Sequence, residues 1–206
     1  MNSQEFRERY ERGERQFTAI NLVGINLSDS HFNDINLSDA NLMGAKLNHV
    51  EFCKANFSGT QLIAAAAMQS NFKESDFSKA DLSGSTFVDS NLTGVNFCEA
   101  VLVGINLSMS DLTRANLSKV NLKGCSLLLG TILIEANLNE ANLSGAVLSG
   151  SNLQGANLSG ANLSEANLNG ANLSHANLSG ANLRGAKLDN ANLQDCDLTG
   201  TKGLII

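Results

Sequence analysis

Ala136-Asn137-Leu138-Asn139-Glu140-Ala141-Asn142-Leu143-Ser144-Gly145 opens a run of fives that continues to Cys196-Asp197-Leu198. Leucine stands at 138, 143, 148 and every fifth residue to 198, which is 13 consecutive sites. Two residues before each leucine is Ala, Ser or Cys. A period this strict decides the architecture before any local propensity is weighed. In extended backbone, side chains two apart share one side. Leu138 and Ala136 therefore point inward together, and Asn137 between them points to water. The last two residues of each five are Ser, Asn, Gln, Asp, Glu, His, Arg or Gly, with one Thr at 199, which suit a corner. Each five is thus three extended residues and a two-residue turn. A helix is excluded, because a 3.6-residue turn would smear the leucines over its whole surface. Six-residue β-helix repeats and leucine-rich repeats fail on period.

The same fives reach back toward the N-terminus. Large apolar centres fall at Phe17, Leu22, Leu27, Phe32, Leu37 and every fifth position to Leu127 and Ile132, with Ala67 the one small exception. Between Ile132 and Leu138 the step is six, which places one extra residue near 133–135. Sorting the centres by 20 makes columns. Leu22, Leu42, Leu62, Leu82, Leu102 and Leu122 form one. Two residues after them stand Gly24, Gly44, Ala64, Gly84, Gly104 and Gly124. Phe17, Phe57, Phe77 and Phe97 share a second column; Phe32, Phe52 and Phe72 share its neighbour. Four fives per coil follow. The glycine column predicts a corner with a special backbone conformation on one side.

This pattern resembles the pentapeptide repeat family, whose motif is A(N/D)LXX, over residues 17 to about 200. The resemblance implies an all-β solenoid, a right-handed quadrilateral parallel β-helix. It is similar to cyanobacterial members, a few of which are linked to regulation of heterocyst differentiation. Other members resemble B-form DNA in width and charge and inhibit DNA gyrase.

About nine coils at roughly 4.8 Å each give a rod of about 43 Å. Each buried Leu or Phe contributes roughly 1.5–3 kcal/mol, so the rod needs no disulfide or metal. Proline is absent, as a ladder in which almost every N–H donates requires. Residues 1–16 break the fives. Phe6 and Tyr10 are four apart among Arg and Glu, which predicts a short amphipathic helix ending near Gly13 and capping the first coil. Residues 201–206 form an apolar tail that folds over the last coil or meets a second copy. Leu128 and Leu129 stand at positions that are normally polar, outside or in a bulge.

The chemistry-bearing residues are sparse. His31, His49 and His175 all face outward on separate coils or faces, and no Cys/His set has zinc spacing. No glycine-rich loop opens a helix, so phosphate cradling is not expected. Nothing asks for a cofactor or a metal, and no catalytic residue emerges. No apolar run approaches the roughly 18 residues of a membrane span, and the charged N-terminus does not read as a secretory signal. With no CxxC pair, the cysteines point to a cytoplasmic protein. The net charge of −6 argues against nucleic-acid binding. It is also thin for a DNA mimic, since DNA carries one charge per about 1.7 Å.

One surface stands out. Val23, Met43, Ile63 and Val103 recur every 20 residues just after the all-leucine column, interrupted by Ser83. Met68, Val88 and Leu128 hold the same position on the next face. An outward apolar stripe confined to the first coils predicts a surface that meets another protein or a second copy. The expected function is a non-enzymatic scaffold or regulatory binding protein; the alternative is a DNA-mimic inhibitor of gyrase.

Overall fold

A computed structural model describes residues 1–125 and 130–203. One helix, α1 (Ser3–Glu11), precedes a continuous parallel ladder. The ladder pairs Gln16 with Asn36, Asn21 with Asn41, Asn26 with Lys46 and His31 with Glu51, then repeats to Asn182 with Lys202. Four extended segments per coil and a 20-residue step make a four-sided β-helix. The phase expected from the fives is the phase observed. Phe17, Leu22, Leu27 and Phe32 begin four buried columns, and from Ile35 to Ala181 the small residue two before each described centre is buried beside it, whereas the last coil, with Ala186, Ala191 and Cys196, is half-buried.

A single five shows why the sequence takes this form. The Leu42 N–H donates to Gln61 O in the next coil at 2.7 Å, and the Asn41 N–H to Ile20 O in the previous one at 2.8 Å. Gly44 donates to Ile63 O at 2.9 Å, and Ala45 closes the turn onto Leu42 O at 3.0 Å. The fifth donor, the Met43 N–H, has no carbonyl left. It is taken by the side-chain Oδ1 of Asn41 at 3.1 Å. The repeated asparagine is therefore more than a solvated residue: it satisfies a backbone donor that the coil cannot. Its amide also stacks. Asn116 Nδ2 donates to Asn96 Oδ1 at 3.0 Å, and Asn96 Nδ2 to Asp76 Oδ1 at 2.9 Å. Asn116→Ala is expected to cost about 1–2 kcal/mol in chemical denaturation, because the Ser118 N–H loses its acceptor and the ladder is cut. Asn116→Asp, which keeps the acceptor for Ser118 but cannot donate to Asn96, should cost about half as much. An unchanged denaturation midpoint for Asn116→Ala would contradict this role.

The corner chemistry corrects one expectation. Left-handed backbone is not confined to the glycine column: Asp39 (φ 57°), Lys54 (φ 56°), Lys79 (φ 59°) and Glu99 (φ 61°) adopt it on other corners. A φ > 0 third residue is the type II signature, and every side of the coil turns this way. β-branched residues, for which this conformation is most costly, are absent from that position among the described residues. Glycine at 24, 44, 84 and 124 is thus not demanded by a conformation peculiar to that corner, nor by packing, since an added Cβ would meet nothing within 4 Å.

The extra residue enters earlier than the fives suggest. Thr131 and Leu133 are buried, whereas Ile132 is half-buried in the outward asparagine position. Ile132 pairs with Asp111, so the ladder step is 21 across this coil. Leu133, not Ile132, is the centre, and the insertion lies between Cys125 and Thr131 rather than at 133–135. The ladder decides, because Leu133 lies five before Leu138 and donates to Asn152 O at 2.7 Å. Leu127, Leu128 and Leu129, and the tail 204–206, for which the sequence carries expectations, lie outside the described residues. Stacking continues past the insertion, with Leu117 N–H on Asn137 O at 2.7 Å, so Leu138 falls in the Phe17 column.

Candidate interaction surface

The stripe residues lie on the outside of the ladder. Val23 is 50% exposed, Met43 41%, Val103 53% and Met68 42%; Ile63 and Val88 are half-buried. Leu128 lies outside the described residues. Hydrogen bonds from Gly24 to Met43 O, Gly44 to Ile63 O, Ala64 to Ser83 O and Gly84 to Val103 O hold the face in one line. The structure also links the two faces that the sequence treated apart. Ile63 and Met68 stand at two successive corners, at the two ends of the side that carries Ala66. Gly24, Gly44, Gly84, Gly104 and Gly124 line the first of these corners, and Asn26, Lys46, Ala66, Thr86 and Asn106 face outward between it and the second. Val101, 43% exposed, belongs to this surface and was missed. Its signal was available, since it occupies a position that is otherwise Asn or Asp in most fives.

Charge is arranged around this corner more than on it. On the corner before it, Lys79 reaches Glu99 at 4.0 Å and Lys119 reaches Glu140 at 3.9 Å. On the corner diagonally opposite, Arg114 meets Glu135 at 2.7 Å. These are exposed coil-to-coil pairs, worth little in stability, but they cancel charge on those sides. From Val23 to Gly145 the glycine corner carries one charged residue, Lys123, and Lys46 stands exposed on the side just after it.

Other groups do not assemble into chemistry. His31 Nδ1 lies 3.0 Å from Glu51 and His175 Nδ1 3.8 Å from Asp195, both exposed and far apart along the rod. No three His, Cys, Asp or Glu among the described residues form a metal-holding group. Burial pushes the Cys53, Cys125 and Cys196 thiols up, away from reactive thiolate. Cys125 and Cys196 act as small core residues whose sulfurs lie near the carbonyls of Leu102 and Leu173. A cleft of about 270 Å³ beneath α1 is lined by Arg7, Tyr10 and Asp29. Its guanidinium is already engaged with Ser30 Oγ and the Asn26 and Ser28 carbonyls. No helix among the described residues is long and apolar enough to cross a membrane.

Comparison with known proteins agrees with the ladder. Among solved structures, HetL, a pentapeptide repeat protein involved in heterocyst differentiation regulation from the cyanobacterium Nostoc sp. strain PCC 7120, is 32% identical over 100% of both chains, with a TM-score of 0.45. QnrB1, a plasmid-mediated fluoroquinolone resistance protein, is 21% identical over 91% of this chain and 90% of its own, with a TM-score of 0.51. Rfr23, a pentapeptide repeat protein from the cyanobacterium Cyanothece 51142, is 21% identical over 97% of each chain, with a TM-score of 0.23. No curated protein matches the chain. The family model for pentapeptide repeats (8 copies) matches residues 20–59, 55–94, 90–127, 131–170 and 166–202, and the chain belongs to the pentapeptide repeat family.

Proposed function

We propose that this chain is a non-enzymatic scaffold, a right-handed β-helix working in a reducing cytoplasm, that binds another protein through its glycine-lined apolar corner. The observation that carries this reading is the coincidence of exposed apolar side chains with a corner built mostly of glycine and carrying a single charged side chain, Lys123. Neither folding nor packing asks for that combination, and other corners tolerate Lys, Glu and Asp in the same backbone conformation. Contiguous exposed apolar surface of this kind marks interaction sites. The candidate residues are Val23, Met43, Ile63, Val103, Met68, Val88 and, by sequence position, Leu128. A regulatory role, of the kind the HetL structure names for that protein, is the finer part of the proposal.

Met43→Glu and Ile63→Glu test it. Both side chains lie outside the core, so each variant is expected to lie within about 0.5 kcal/mol of the parent in stability. Capture of the bound protein from native lysate should fall by at least ten-fold in each. Undiminished capture by a folded variant would refute the surface. The DNA-mimic alternative asks for about 25 charges along a 43 Å rod, against a net −6. No inhibition is expected in a gyrase supercoiling assay.

A further inference from the structure

The turn donor of each five gives the apolar corner a chemistry that its side chains do not. In most fives this N–H is held by Oδ1 of the Asn or Asp two residues earlier, as in Val23 by Asn21 at 3.2 Å, Met43 by Asn41 at 3.1 Å and Ser83 by Asp81 at 2.9 Å. Ile63, Val88 and Val103 follow Gln61, Thr86 and Val101 instead. Among the described residues nothing accepts their N–H groups. Met68 also lacks an Asn or Asp in its own five, but is rescued from the coil before, by Asn48 Oδ1 at 3.0 Å. Ile63 and Val103 at the glycine corner, and Val88 at the next, therefore present backbone donors that open outward, where the asparagine oxygen would otherwise sit.

Resting on the reading of this corner as a binding surface, we propose that its partner is an amphipathic α-helix carrying acceptor side chains, Glu or Asp, beside its apolar stripe. A purely apolar partner would bury the three N–H groups without acceptors, which is unfavourable. From Val23 to Gly145 the corner carries no carboxylate; its one charge is the cation Lys123, with Lys46 on the side just after it, so donors and charge favour the same acidic partner. Spacing selects the helix. Ile63 and Val103 are two coils apart, roughly 9.6 Å. Residues seven apart on a helix are separated by about 10.5 Å, and a tilt of roughly 25–30° brings both its pitch and this repeat onto the coil spacing. An extended segment presents same-side carbonyls about every 6.8 Å, so it meets one donor and misses the other. Strand addition is also closed, because the ladder already uses the donors and acceptors along the coil faces. The bare glycines allow the helix to approach the corner.

The full chain is titrated with two synthetic 18-residue helices that share one Leu/Ala stripe. One carries Glu at two positions seven apart beside the stripe, and the other carries Lys there. The Glu helix is expected to bind at least ten-fold more tightly, and to shift the Ile63, Val88 and Val103 amide resonances downfield while leaving the capped Val23 and Met43 amides in place. Gln61→Asn with Thr86→Asn installs the residue that other fives carry and leaves every apolar side chain. It should weaken the Glu helix about ten-fold. Equal binding of the two helices, unmoved amides, undiminished binding by the double variant, equal binding by a proline-broken Glu peptide, or no binding at all overturns the proposal. Met43→Glu separates the two levels: if it binds both helices as the parent does, the surface itself is wrong, whereas loss there with an unaffected double variant removes only the donor chemistry.

Discussion

Phe77→Ala is expected to lower the unfolding free energy by about 3–5 kcal/mol. The Phe77 ring lies between those of Phe57 and Phe97, at centroid distances of 4.7 and 5.4 Å. Phe72 at 5.5 Å and Phe87 at 6.0 Å close it from the sides. The cost of a truncation depends on how far the site can collapse. Here it can collapse little, because the coil spacing is set by the backbone. Phe57 donates to Asp76 O at 2.7 Å and Phe77 to Asn96 O at 2.8 Å, above and below the cavity. The loss should therefore fall in the upper part of the range. Phe77→Leu, which leaves most of the volume, should cost about 1–2 kcal/mol. Coils touch only their neighbours, so the alanine variant should also broaden the denaturation curve as the two halves lose coupling. A loss below about 1 kcal/mol would show slack in this column.

Ala67 shows how the chain avoids that defect. It sits at a centre, where less side chain was expected in the core, yet it is fully buried. Phe87 stands one coil below in the same column and leans on Phe72 at 5.2 Å. The volume missing at Ala67 is supplied by its aromatic neighbours. A column can therefore take one small residue if the next coil is large, a compensation that Phe77→Ala does not have.

How much of this was legible follows from which positions carry one meaning. Leu, Ala and Phe in the fives mean burial, and the period of two within a five leaves no second reading; the columns, the phase and the coil of 20 came directly from them. Ile132-Leu133 carries two meanings, since either apolar residue can be a centre. Counting from Leu127 selects Ile132, and counting back from Leu138 selects Leu133. The Thr131 hydroxyl, which donates to Leu107 O at 3.3 Å, fits an inward small position and breaks the tie. Asparagine was legible as outward but not as the acceptor for its own turn. Its clue was that Asn and Asp dominate the position while Ser, Gln and Lys, equally at home in water, do not. The candidate surface was half visible for the same reason. Exposed Val and Met could be counted, but Val101 and the open donors of Ile63, Val88 and Val103 emerge only when the asparagine is known to have a partner to hold.

Removing residues 1–14 should cost at least as much as the core truncation and should also change the association state. Phe6 is fully buried, with its ring 4.6 Å from Phe17 and 5.2 Å from Phe32. Tyr10 meets Phe32 at 5.1 Å. Losing Phe6 alone is worth about 3–5 kcal/mol. The polar side of α1 matters differently. In later coils such outward carbonyls accept an N–H from the coil before, as Lys46 O does from Leu27 at 2.9 Å. The first coil has no predecessor, and α1 supplies the missing donors. Arg7 reaches Asn26 O at 3.3 Å and Ser28 O at 3.4 Å, and the Tyr10 hydroxyl donates to Asn33 O at 3.1 Å. Without the helix the first coil is an apolar disc rimmed by open strand edge, a template for another chain. Light scattering should then show concentration-dependent oligomers, together with a lower melting temperature. Tyr10→Phe separates the two contributions, since it removes one donor and keeps the ring. It should cost about 1 kcal/mol and leave the protein at its parental size. A truncated chain with the parental size and melting temperature would show that α1 lies on the coil without protecting it.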